Sequence, residues 1–430
     1  MSRAAVVLLG CPKNQVDAER LLGSLGVAGW VLTDDEASAD LIVVTTCAFL
    51  GSAVRESEAA IRRALAGKRR RPGTRVAVAG CLVQREGRKL AARFPNVDLF
   101  CGIDRLADIP RLLFSKVRYA TSPARGLERA ASPRLLSTPG HYAYLRLGDG
   151  CDNRCSYCLI PRIRGRLRSR PPADIAREAE SLARAGVREL VLIAQDTTAW
   201  GSDRCARPAL PRLLKRLERI PGIEWLRLMY THPAHVTEPL CRELERNPRV
   251  CRYLDLPVQH CSDRILGAMR RRHDRAHLDA TIARLRRIPG LALRTTVITG
   301  FPGETEAEFE ELLAFLAVVR FERLGAYAFS PEPGTRAARL PGQVPEELRA
   351  ERRRRVLELQ RTISRARLRG LRGRELTVLL DTPTEGRTEW DAPEIDGVVR
   401  FRAPAGQPGE FIRCRVTGSS VHDLAAEPAG

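Results

Sequence analysis

The sequence predicts an α/β protein made of an N-terminal parallel-sheet domain, a central α/β barrel and a small C-terminal antiparallel β-barrel. Short apolar runs alternate with helix-length amphipathic stretches from Ala4 to Phe329, the rhythm of parallel strands covered by helices. A Ser-, Pro-, Gly- and Thr-bearing interval interrupts that rhythm at residues 115–140, and after Arg374 only short β-rich runs separated by Gly and Pro remain.

In chain order, Ala4–Leu9, Leu41–Thr46 and Arg75–Ala79 read as strands, each followed by a helix-like segment. They place a flavodoxin-like domain at residues 1–114. Residues 115–140 have linker composition, with Thr121-Ser-Pro, Ser132-Pro and Ser137-Thr-Pro-Gly140. Strands are then expected at Tyr142–Leu147, Glu189–Ile193, Trp225–Met229, Tyr253–Leu256, Leu291–Ile298 and Leu324–Phe329. Six such units over residues 141–345 suggest a partial or complete barrel, whose reactive groups belong at the carboxyl ends of the strands. Residues 346–373 read as a long Arg-rich helix, Glu347–Arg372, serving as a solvated connector. Leu376–Leu380, Val398–Phe401 and Phe411–Val416 suit a small β-barrel over 374–430.

Composition narrows the function classes. An apolar share of 44% with 29% charged residues excludes disorder as the default for this 430-residue chain. There is no apolar run long enough for a membrane span, and Ala4–Gly10 is too short for a secretory signal, so a cytoplasmic location without membrane partners is expected. In that compartment twelve cysteines point to metal binding or redox chemistry rather than disulfides. The formal charge of +21 invites a nucleic-acid partner. Its cations are nearly all Arg in a chain rich in Ala and Leu, a bias that a GC-rich genome produces without selection for binding.

The most specific motif is Gly150-Cys-Asp-Asn-Arg-Cys-Ser-Tyr-Cys158, three thiols in a CxxxCxxC loop after an expected strand. Soft thiolates are the ligands of iron–sulfur clusters, and three of them on four irons leave one iron open. A zinc knuckle would need a fourth Cys or His close by, and none completes that spacing. Val297-Ile-Thr-Gly-Phe-Pro-Gly-Glu304 stands where a late strand gives way to a helix. Gly300 and Gly303 permit close backbone approach there, and Glu304 starts the helix.

Cys11, Cys47 and Cys81 each follow an expected strand of the first domain. Carboxyl ends of parallel strands face one crevice, so the three could share a second cluster. Taken singly, each reads as a buried structural cysteine; the repeated position, strand end and then Cys, is what argues for a shared cluster. The other six, Cys101 among them, show no shared spacing.

The CxxxCxxC loop with Tyr157 resembles the radical S-adenosylmethionine superfamily, and the glycine turn resembles its cofactor-side motif. That resemblance implies a 4Fe–4S cluster on Cys151, Cys155 and Cys158, with S-adenosylmethionine chelated through its amino and carboxylate groups to the open iron and cleaved to a 5′-deoxyadenosyl radical. It also implies Tyr157, Gly300, Gly303 and Glu304 on the S-adenosylmethionine side. With two cluster sites and a β-rich tail, nearly the whole chain resembles the methylthiotransferases, whose second 4Fe–4S cluster, here Cys11, Cys47 and Cys81, carries the delivered sulfur. Leu9-Gly-Cys-Pro-Lys-Asn-Gln-Val-Asp17, Gln195-Asp-Thr197, Leu254–His260 and Asp391–Gly397 look like the RimO branch. This implies methylthiolation of an aspartate β-carbon in small-subunit ribosomal protein twelve, free or in the small ribosomal subunit, by a monomer served by an external electron donor.

The tail corresponds to the family's substrate-recognising TRAM domain. From Arg374 to Gly430 it holds six Arg against ten Asp and Glu, hence −4, a sign suited to a basic protein unless Asp391, Glu394 and Asp396 merely solvate a loop. A transfer-RNA methylthiotransferase acting on a modified adenosine and a non-catalytic iron–sulfur carrier are the competing readings. Radical abstraction needs positioning more than a poised base, so no acid or base is assigned.

Overall fold

The computed structural model describes residues 2–122 and 133–429; the expected Ser132-Pro signal starts in residues 123–132, which lie outside the described ones. The described chain forms two compact units. One comprises residues up to Ser137 with Arg146–Asn153 and Cys158–Glu178; the other comprises Thr138–Leu145, Arg154–Tyr157 and Ala179 onward.

In the first unit, β1 (Arg3–Val7), β2 (Val31–Leu32), β3 (Leu41–Thr46), β4 (Arg75–Gly80), β5 (Leu99–Cys101) and β6 (Tyr119–Ala120) form a parallel sheet ordered β2-β1-β3-β4-β5-β6. β3 shows why both faces are apolar. Leu41 and Val43 pack with Leu21 and Leu25 of helix α1 (Pro12–Val27), while Ile42 and Val44 pack with Ala60, Ile61 and Ala64 of helix α2 (Gly51–Arg70). Burying each such aliphatic side chain stabilises the sheet by about 1.5–3 kcal/mol. Strands β2, β5 and β6, two or three residues long, escape a periodicity reading. The end of the expected linker is not loose: buried Glu19 accepts from Arg134 Nη2 at 2.6 Å and from Ser137 Oγ at 2.9 Å. This unit also holds the ribbon of β8 (Gly148–Asp149) and β9 (Arg168–Ser169).

In the second unit, β7 (Tyr142–Arg146), β10 (Glu189–Ile193), β11 (Trp225–Leu228), β12 (Val250–Asp255), β13 (Ala292–Thr299) and β14 (Arg323–Ala328) form one sheet in the order β14-β13-β12-β11-β10-β7. It is a partial barrel, with β7 and β14 at its edges. β15 (Glu375–Thr382), β16 (Glu385–Thr388), β17 (Val399–Phe401), β18 (Phe411–Ser419) and β19 (Leu424–Pro428) close a second, small barrel. It is antiparallel except where β17 meets β19 in parallel. The polar β16 and the Ala- and Pro-bearing β19 carry little β propensity, which is why sequence reasoning passed over them.

Two expectations fail here. The Arg-rich helix, Glu346–Arg369, is not a solvated connector: it lies against β13 and β14 and buries Arg352, Val356, Gln360, Ile363 and Leu368. Its arginines find carboxylates and carbonyls, Arg352 reaching Glu304 at 2.8 Å and Arg353 the Ala326 carbonyl at 2.9 Å. Nor do Asp391, Glu394 and Asp396 solvate a loop. Buried Asp391 binds Arg323, buried Asp396 accepts from Tyr253 Oη at 2.7 Å, and Glu394 accepts from Tyr142 Oη at 2.9 Å. These three acids are thus spent on the partial barrel's own Arg and Tyr side chains.

Candidate metal centres

The three strand-end cysteines of the first unit meet around Asn14 and Arg164. Gly10, which precedes Cys11, has φ +103°, and a Cβ there would stand 2.6 Å from Asn14 Nδ2 and 3.0 Å from Cys47 Cβ; only glycine fits. Cys11 N-caps α1, Cys47 follows β3, and Cys81 opens helix α3 (Cys81–Glu86). Asn14 ties the strand ends together. Its Nδ2 donates to the carbonyls of Leu9 at 3.2 Å and Thr46 at 3.0 Å, and its Oδ1 accepts from Cys81 Sγ at 3.4 Å. Cys47 is held through Ser57, whose Oγ accepts from its N–H at 3.0 Å.

Arg164 is fully buried beside these thiols. Its Nη2 donates to Asn14 Oδ1 at 2.8 Å, Asp17 Oδ2 at 2.7 Å and Cys81 Sγ at 3.5 Å, and its Nη1 to Asp149 Oδ2 at 3.2 Å. Burial pushes the Cys81 thiol up to about 12, opposed by the Arg164 charge, and burial raises Cys47 as well. Cys11 is the exposed member. Soft sulfur donors from three strand ends beside one buried cation suit a thiolate-ligated cluster, whose negative charge needs a compensating neighbour. Cys101 is buried at the end of β5 and bonds the Arg105 carbonyl at 3.1 Å instead.

The CxxxCxxC thiols are all half-buried. Cys151 Sγ accepts from the Asn153 N–H and Cys158 Sγ from the Ile160 N–H, both at 3.4 Å. In the second unit, Arg271 Nη1 stands 3.8 Å from Cys155 Sγ. Tyr157 packs against the core of Phe301, Phe329, Ile265 and Met269.

The glycine turn after β13 is held mainly by protein groups. Gly300 has φ +68°, and a Cβ there would strike Arg349 Cγ at 2.2 Å; Gly303 has φ +80°. Glu304 does not begin the helix, which runs Glu306–Val319 with Thr305 as N-cap. Its buried carboxylate instead accepts from the Gly300 N–H at 2.9 Å and pairs with Arg352, clasping the turn.

Family models divide the chain in the same order as these structures. The uncharacterised protein family UPF0004 matches residues 3–102, the radical SAM superfamily 145–316 and the TRAM domain 373–428. The radical S-adenosylmethionine methyltransferase TsrM from Kitasatospora setae shares the fold, with TM-score 0.58 and 15% identity over 78% of this chain and 74% of its own. So does OxsB, a cobalamin-dependent S-adenosylmethionine radical enzyme, with TM-score 0.55 and 13% identity over 84% and 56%. Curated relatives named ribosomal protein uS12 methylthiotransferase RimO match over nearly the full length. That of Anaeromyxobacter sp. (strain Fw109-5) is 44% identical over 98% of this chain and 92% of its own, and that of Desulforudis audaxviator 45% over 99% and 96%.

The chain belongs to the RimO family. For this RimO-family chain, sequence reasoning named the six cysteines but missed Asn14, Asp17 and Arg164 as the groups around three of them. The run Leu9–Asp17 contains Asn14 and Asp17. Nothing marks Arg164 in so Arg-rich a sequence, because its contact with Asp17 spans 147 residues.

Proposed function

We propose that the protein methylthiolates the β-carbon of an aspartate side chain in ribosomal protein uS12. The observation that carries this reading is that Cys11 and Cys47 stand within electrostatic reach of Cys81, which contacts Arg164, in a RimO-family chain that separately carries the CxxxCxxC loop. Cys151, Cys155 and Cys158 would hold a 4Fe–4S cluster that binds S-adenosylmethionine, and Cys11, Cys47 and Cys81 a second. When bound, these groups supply reductive cleavage of the sulfonium, hydrogen abstraction from an unactivated carbon, and the sulfur and methyl that replace that hydrogen.

The chain's own residues bind and orient. Arg164 balances the charge of the strand-end thiolates, and Asn14 fixes the spacing between strand ends. Arg271 does for Cys155 what Arg164 does for Cys81. The clasp of Glu304, Gly300 and Gly303 sets the turn on the S-adenosylmethionine side, where Tyr157 packs. Among the described residues, no helix is long and apolar enough to cross a membrane. The protein acts as a cytoplasmic monomer with an external electron donor, on uS12 free or in the small subunit.

The test is an anaerobic assay of reconstituted protein with S-adenosylmethionine, reductant and sulfide, offered uS12, small subunits or transfer RNA, and read by mass spectrometry. A methylthio gain on a uS12 aspartate is expected. A gain on transfer RNA alone would overturn the substrate assignment and leave both clusters standing.

A further inference from the structure

Beyond the carboxyl ends of β10 and β11 in the second unit lies a polar cluster that the cluster chemistry does not use. Asp196, after β10, accepts from Thr198 Oγ1 at 2.7 Å, from the Ala199 N–H at 3.1 Å and from His235 Nδ1 at 2.8 Å. His232, after β11, is 3% exposed, and its backbone N–H donates to Thr198 Oγ1 at 3.0 Å. The His232 ring meets that of His273 edge to face at 5.6 Å.

Asp196, His232 and His235 bring potential ligand atoms within 4.8 Å of one another, which invites a metal ion. The proton positions argue against one. His232 Nδ1 accepts from the Ala234 N–H at 3.2 Å, so the neutral ring carries its proton on Nε2 and has no lone pair there for a metal. His235 donates its Nδ1–H to Asp196 in a hydrogen bond. Burial, followed by the nearby Arg271 charge, holds His232 and His273 far below the ordinary imidazole range, so both rings are neutral beside a fixed cation.

What remains is a set of donors without acceptors. Among the described residues, His232 Nε2, Arg271 Nε and both ring nitrogens of His273 are buried and make no hydrogen bond; the neutral His273 ring supplies one N–H and one lone pair, and a buried donor left unpaired costs about 1–3 kcal/mol. Arg271 spends Nη2 on the Pro257 carbonyl at 2.8 Å and Nη1 on Cys155 Sγ at 3.8 Å, so its Nε–H and one N–H from each imidazole are the groups left over, and a carboxylate supplies two oxygens for such donors. We infer that His232, His273 and Arg271 form the receptor for the side-chain carboxylate of the substrate aspartate.

This inference rests on the reading of the protein as an aspartate methylthiotransferase. The attacked β-carbon is one bond from that carboxylate, so gripping the carboxylate positions the hydrogen to be removed. Arg271 also reaches Cys155 Sγ, which puts the receptor beside a proposed ligand of the radical cluster. A receptor for the carboxylate of S-adenosylmethionine would instead lose affinity for that cofactor when His232 or His273 is replaced.

The test uses reconstituted, unreduced protein with S-adenosylmethionine bound, so that no turnover occurs. A uS12 peptide carrying the target aspartate and its asparagine counterpart are titrated calorimetrically. The aspartate peptide should bind roughly 10-fold to 100-fold more tightly. His232→Leu and His273→Leu should each erase most of that preference, His232→Gln, which keeps an N–H near the Nε2 position, should restore part of it, and S-adenosylmethionine affinity should stay within about twofold of wild type.

Equal binding of the two peptides by the wild-type protein overturns the receptor without any variant, so a misfolded variant cannot shelter it. A preference that survives His232→Leu, or a parallel loss of S-adenosylmethionine affinity, also overturns it. A wild-type protein that methylthiolates uS12 yet ignores the carboxylate refutes only this inference, whereas activity confined to transfer RNA refutes the proposed function.

Discussion

Arg164→Met tests whether one buried guanidinium organises the strand-end cysteines. Met preserves much of the side-chain volume, so the charge and its hydrogen bonds are the main loss. Arg164 serves three oxygen partners. Asp17 retains Arg146 at 2.6 Å, and Asp149 retains the Gly150 N–H at 3.0 Å and the more distant Arg168 at 3.8 Å. Breaking a buried ion pair costs about 3–5 kcal/mol when a charge is stranded. With one of two carboxylates still well paired, the lower end is expected, about 3 kcal/mol. For a unit of this size that lowers Tm by roughly 6–12 °C.

Arg164→Lys should recover less than half of this, because an ammonium cannot span Asp17 and Asp149 as the planar fork does. The stability readout is thermal unfolding of the apo protein by circular dichroism. The second readout is electrochemical: with a positive charge removed beside Cys81, the cluster on the strand-end thiols should shift negative by tens of millivolts, measured by redox titration with electron paramagnetic resonance. A stability change below about 1 kcal/mol with an unshifted potential would refute the assignment.

Replacing Cys81 by Ala should remove about half of the bound iron from reconstituted protein while S-adenosylmethionine cleavage continues, and full iron retention would contradict the second cluster. Glu178 offers a pH test. Burial pushes its carboxyl up, but Arg170, Arg20 and Arg134 outweigh burial and hold it at about 2 against an ordinary 4.5. A folded value below the unfolded one stabilises fully above the ordinary carboxyl range and is lost as pH falls toward 2, about 3 kcal/mol in all. Glu178→Gln should therefore lower stability at neutral pH and flatten the loss of stability between about pH 5 and 2, followed by urea unfolding; an unchanged slope would exonerate this carboxylate. Asp391→Asn should destabilise the second unit through the loss of its bond to Arg323, with no change in the affinity or salt dependence of uS12 binding; weaker binding at unchanged stability would return the tail acids to the substrate face.

Elements with strong periodicity were legible without coordinates. The β3 run Leu41–Thr46 begins and ends where expected because both its faces are apolar, and β10, buried along its whole length, follows the same logic. The short β2, β5 and β6 were not, since two or three residues carry no period. The Arg-rich helix was misread because thirteen charges on one helix look solvated until Glu304, Glu306 and Glu310 are found opposite them. The tail acids were misread for the same reason: Asp391 and Asp396 are charges whose partners lie far away in sequence.

The sequence by itself determined the α/β class, the six cysteines and the family resemblance, because short motifs and hydrophobic period are local properties of a chain. Only the tertiary structure decided what surrounds those cysteines. Arg164 beside Cys81, Arg271 beside Cys155, and His232 and His273 without acceptors all depend on contacts between segments far apart in sequence. The fold creates the low-dielectric setting in which pairing, or its absence, governs what such groups can do.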